Sequence, residues 1–155
     1  MAEPYGQQHN YGGQNRYPDN RVESIPDFKD IKLSEPLDPE LFNGTARKYA
    51  KILALREDGR PRNENKPTQL RRFYDEMVLW ETRASQQPDK FAEYLPFIRM
   101  INAKAAYAEG RKLVNPDFVS LMRHTLGEVK DAETLTHCKL FWEAFMGFYK
   151  QERPN

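Results

Sequence analysis

The residues best placed to do chemistry in this 155-residue chain are cations. Lys66, Gln69, Arg71 and Arg72 fall in KPTQLRRFY at positions 66–74, where a basic, proline-marked loop runs into an amphipathic helix with Thr68 as its predicted N-cap. Free backbone N–H groups at a helix start, with arginine forks beside them, suit a phosphate. Lys104 stands in an alanine-rich stretch that Gly110 ends, with Arg111 and Lys112 directly after it, and Lys51 shares the polar side of an earlier helix with Arg47 and Lys48. Lys104 reads either as a positioned cation or as a lysine whose stem packs while its amine reaches water.

Charge is segregated along the chain. Residues 1–46 hold four Lys/Arg and eight Asp/Glu, residues 47–72 nine and three, and residues 73–155 eleven and twelve, giving −4, +6 and −1. A local excess of this kind attracts polyanions even at a net charge of +1. An ordinary solvated basic loop and helix gives the same count.

Other chemistry finds little support. His137 and Cys138 are adjacent, so on a helix they point about 100° apart and do not readily chelate one ion. Asp75 with Glu76, and Asp131 with Glu133, read as solvated helix positions and first-turn charges. No metalloprotease or nucleotide-loop motif is present, and the eight glycines are dispersed. A nucleophile would have to be Cys138 or a serine beside a base, and no such constellation is visible, so the reading is not an enzyme, with no cofactor and no metal. The single cysteine excludes an internal disulfide framework and fits a reducing compartment. No signal peptide and no apolar run near the ~20 residues of a membrane span are visible, which predicts a cytoplasmic protein without a membrane partner.

The elements that must position these cations are helical. Residues up to about Ser24 are rich in Gly, Gln, Asn and Tyr and bury too little apolar surface to fold. Phe28, Ile31 and Leu33 follow among prolines as a candidate extended arm. Asp38 and Pro39 suit a helix start, with the solid helix at 45–56. The loop 58–67 has no apolar residue outside its prolines and reads as exposed and mobile. The helix from Thr68 to about Ser85 carries Leu70, Phe73, Met77, Trp80 and Ala84 as its core stripe. Pro88 opens another turn, Pro96 predicts a kink or restart, and the run to Gly110 reads as the most buried helix. Asn115 and Pro116 start a helix ending at Gly127, and a last helix from about Asp131 to Tyr149 carries Leu135, Cys138, Trp142 and Phe145, before a frayed end at 151–155. Phe73 and the tryptophans read as core, whereas Tyr74 and Tyr107 could serve either core or surface. The expectation is an all-α bundle of about five helices at 39–155, preceded by a disordered or extended tail at 1–38.

Three stretches together resemble the small subunit of type III-A CRISPR effector complexes, the Csm complexes. TQLRRFY at 68–74 is similar to that family's helix start, in which a Ser or Thr precedes Gln or Lys, an aliphatic residue and an arginine. LPFIRMINAKAAYAEGR at 95–111 is similar to its central helix, and FWEAFMGFYK at 141–150 to its closing helix. The order and spacing hold over roughly 45–150, and Pro67 replaces a small polar residue of the family pattern. The resemblance implies a non-catalytic subunit that stacks in copies along the duplex of guide RNA and target RNA. It implies contacts with the large polymerase-like subunit and the repeated backbone subunit. It assigns Arg71, Lys104 and Arg111 to RNA; Arg72, Lys66, Gln69, Lys112 and Lys51 join them on the charge argument alone. The competing expectation is a helical adaptor whose basic patch docks an acidic protein.

Overall fold

The computed structural model describes residues 27–154, and the low-complexity segment before Ser24 lies outside them. Among the described residues the regular elements are all helical: a π-helical turn Leu41–Thr45, α1 Ala46–Ala54, α2 Pro67–Gln86, a 3-10 turn Pro88–Lys90, α3 Phe91–Arg99, α4 Ile101–Gly110, α5 Pro116–Gly127 and α6 Ala132–Glu152. Helices α3 and α4 form one interrupted rod, which gives the expected five members. Helix α6 packs on α1 and α2, and α4 packs on α5.

The core follows from α6. Leu135, Cys138, Phe141, Trp142, Phe145 and Tyr149 recur at three and four and are all buried. Trp142 meets Phe118, Phe141 and Phe145 edge-on at 4.9–5.8 Å between ring centres, and its indole N–H donates to Thr125 Oγ1. The helix starts on a capping box, in which the Asp131 carboxylate accepts from Thr134 N–H while the Thr134 hydroxyl accepts from Asp131 N–H. Asn115 caps α5 in the predicted manner, with Pro116 first in the helix.

The arm packs on this body. Phe28, Ile31 and Leu33 are buried, Asp30 meets Lys48 and Tyr49, and His124 and His137 bond the Ile31 and Leu33 carbonyls at 2.8 and 2.7 Å. Packing therefore begins in the arm, ahead of the first helical turn at Leu41.

Several expectations change. Asp38 caps only a turn, accepting from Glu40 N–H, and the chain enters α1 through the π turn. There Glu40 accepts from Gly44 N–H at 3.0 Å, and a Cβ on Gly44 would sit 2.8 Å from that carboxylate. The N-cap of α2 lies two residues earlier than predicted, at Lys66 in place of Thr68, with Pro67 first in the helix, because the fixed φ of proline already suits the first helical position. The rod passes through Pro96 and breaks at Met100 instead, since Pro96 forfeits only its own N–H and the next turn still closes from Met100 to the Pro96 carbonyl. Helix α4 is not the most buried: only Ile101, Ala105 and Ala108 are buried along it, while Phe97, Met100 and Tyr107 are more than half exposed. Its alanines fill little volume and cover only one side. The end of α6 is held as well: Arg153 donates to the Glu64 and Asn65 carbonyls.

Candidate nucleic-acid interface

One loop residue ties four elements together. Asn65 is wholly buried, in the left-handed region at φ 58°, which asparagine tolerates better than most residues. Its amide donates to the Leu53 carbonyl at 3.0 Å, its side-chain oxygen accepts from Asn115 N–H at 2.9 Å, and its own N–H donates to the Leu113 carbonyl at 3.0 Å. The Tyr149 hydroxyl and Arg153 both donate to its carbonyl. The end of α1, the start of α2, the turn between α4 and α5, and the end of α6 therefore meet at one end of the bundle. The second half of the loop is locked, against the expectation of a mobile segment. Burial pushes the Tyr149 phenol up to about 12, so it stays a donor.

Lys66, Arg111 and Lys112 are exposed beside this junction and Arg72 is exposed in the second turn of α2, and none has a carboxylate partner among the described residues. Lys112 adopts φ 60° just past α4; its N–H and that of Leu113 return to the Glu109 and Ala108 carbonyls, closing a helix cap that usually takes glycine. Arg111 lies 5.8 Å over the Tyr107 ring, which is 68% exposed. Lys51 is exposed in the last turn of α1.

The α2 start offers fewer N–H groups than its sequence promises. Pro67 has none, and Gln69 and Leu70 donate back to the Lys66 carbonyl, leaving that of Thr68 without a bond among the described residues. Side chains must supply the rest. Arg71 and Lys150 line a cleft of about 680 Å³ with Pro67, Thr68, Met146, Tyr149 and Pro154. Arg71 holds Asp75 at 2.9 Å across an exposed pair, an interaction worth about 0–1 kcal/mol that a phosphate can replace.

Lys104 behaves differently. Its amine reaches Glu76 of α2 at 2.5 Å, with the carboxylate largely covered, so its charge is already compensated and ties α4 to α2. Gln69, Arg72 and Glu76 follow a spacing of three and four along the same side of α2. Arg71 lies on another side, toward α6. The Asn65 junction thus holds the backbone at Lys66 beside that following Arg111 and Lys112, while Arg71 and Lys104 pair with different carboxylates, Asp75 and Glu76.

Sequence reasoning missed Asn65, Lys150 and Arg153. Lysine and arginine at a chain end carry no distinctive pattern, and only the residue type at 65, an asparagine before Lys-Pro, hinted at a left-handed turn. Cys138 offers no nucleophile: burial raises its thiol to about 12.

The family model described as Csm2 Type III-A matches residues 38–155. Comparison with curated proteins and with solved structures gave no match. With three-quarters of its length covered and an all-helical body behind the match, the chain belongs to the Csm2 Type III-A family, the small subunit of the type III-A CRISPR (Csm) complex.

Proposed function

We propose that the chain is a non-catalytic subunit that grips the backbone of the guide RNA–target RNA duplex without reading sequence, and bridges subunits of a cytoplasmic antiviral complex. The observation that supports this reading is the junction at Asn65, beside which Lys66, Arg111 and Lys112 are exposed and, like Arg72 farther along α2, have no carboxylate partner among the described residues. Guide pairing supplies sequence recognition, so phosphate contacts suffice. Arg71, Lys104, Gln69 and Lys51 complete the proposed surface; Arg71 and Lys104 must first release Asp75 and Glu76. Copies aligned along one duplex turn weak single contacts into adequate binding. The large polymerase-like subunit and the repeated backbone subunit are the proposed protein neighbours.

The test is target-RNA association by the assembled complex across a salt series, comparing wild type with Arg72→Ala/Arg111→Ala. Each lost phosphate contact lowers the slope of log K against log salt by roughly 0.7–0.9. Equal slope and affinity would remove these residues from the interface. A second reading, an adaptor for an acidic protein, draws on the pairing of Arg71 and Lys104 with carboxylates and on the exposed Phe97, Met100 and Tyr107. It predicts that Tyr107→Ser disrupts assembly while RNA binding by the remaining complex is unchanged.

A further inference from the structure

Glu35, Glu133 and His137 converge where the arm crosses α6, each with a possible ligand atom within 4.8 Å of the others. Glu133 and His137 are one helical turn apart on α6, and Glu35 comes from the arm, ahead of the part of the chain that matches the family. The His137 residue is nine-tenths buried. Its Nδ1 lies 2.7 Å from the Leu33 carbonyl, which can only accept, so Nδ1 is the donor there and Nε2 is the ring atom turned toward the two carboxylates. Among the described residues Nε2 makes no hydrogen bond; the Glu35 carboxylate is 3.8 Å away. One ring nitrogen and two carboxylates therefore converge on one point where the arm meets α6. The neighbouring acid, Asp131, is taken up by the α6 cap.

From this arrangement we infer that the three residues bind a divalent transition metal of the zinc type, which clips the arm to α6. An imidazole whose far nitrogen is fixed by a backbone carbonyl, together with two carboxylates, is a donor set that zinc accepts, with water in the fourth position. Zinc bonds of about 2.0–2.2 Å require the carboxylates to close inward. Glu35 and Glu133 are exposed and have the rotamer freedom to do so. The bound ion ties down the segment that carries Phe28, Ile31 and Leu33 into the core.

The experiment uses the full chain, stripped with chelator and titrated with Zn²⁺ by calorimetry, then with Co²⁺ as a spectroscopic probe. Wild type is compared with Glu35→Gln and Glu133→Gln, whose exposed sites leave the metal-free melting temperature unchanged. The expected result is one Zn²⁺ per chain, a rise in melting temperature with Zn²⁺, and visible Co²⁺ bands of a four-coordinate site. Each variant should bind at least about tenfold more weakly and lose the rise. Absence of stoichiometric Zn²⁺ binding, or equal binding by wild type and both variants, overturns the inference.

Discussion

Helices α4 and α6 are both rich in apolar residues, yet they do opposite work. Helix α6 places six large or sulfur-bearing side chains on one stripe and buries them all. Helix α4 buries only Ile101, Ala105 and Ala108 and turns Lys104, Tyr107 and Arg111 outward. Composition made α4 look like the deeper element; spacing and side-chain volume decide otherwise. A stripe of alanines needs little from its neighbours, whereas a stripe of aromatic rings must be enclosed. Stability therefore belongs to α6, and α4 has its outer face free for a partner.

The sharpest way to break this contrast is Phe145→Ala. Phe145 stacks on Tyr149, meets Trp142 edge-on and is fully buried, so truncation should cost about 3–5 kcal/mol in urea unfolding. Next is Asn65→Ala, which strands the Leu53 carbonyl and the Asn115 N–H and forces alanine into a left-handed turn. A loss of about 3 kcal/mol is expected from buried groups costing roughly 1–3 kcal/mol each, together with weaker RNA association, because the junction holds the cations in place. Asn65→Gly relieves the backbone penalty alone and should recover only part.

Asp131→Ala removes the α6 cap at a cost of about 1 kcal/mol. Hydrogen bonds from Thr134, backbone N–H first, hold the Asp131 carboxyl below its ordinary 3.8. Its contribution is therefore present above that unfolded value and lost as pH falls through the lower folded one. Acid titration of wild type and variant should converge below that range. Lys112→Gly has the opposite sign: glycine accepts φ 60° freely, and stability should rise by about 1 kcal/mol, while the proposed interface loses one cation and the RNA salt slope is expected to fall. The smallest effect is expected for Tyr107→Ser on α4, within about 0.5 kcal/mol by thermal unfolding. A larger loss there would erase the distinction between the two helices.

Much of this architecture was legible in sequence because it rests on local rules. The caps of α5 and α6, the stripe of α2 and the aromatic face of α6 are written in spacings of three and four. The rest was hidden in long-range contacts. Asn65 looks like any polar loop residue until Leu53, Leu113, Asn115 and Tyr149 converge on it from separate elements. No local pattern ties His124 and His137 to the arm until its carbonyls reach them in the fold. Likewise, whether a cation is free or paired depends on partners in space: Lys104 meets Glu76 from another helix, which no local pattern announces.

The central claim is that the end of the bundle organised by Asn65 touches RNA. It is tested most directly by photo-crosslinking of 4-thiouridine-labelled target RNA in the assembled complex, with the crosslinked peptides identified by mass spectrometry. Crosslinks should fall on residues 63–72 and 104–112 and vanish together in Asn65→Ala. Crosslinks confined to the arm or to α5, or none on this chain while the RNA is bound, would contradict it.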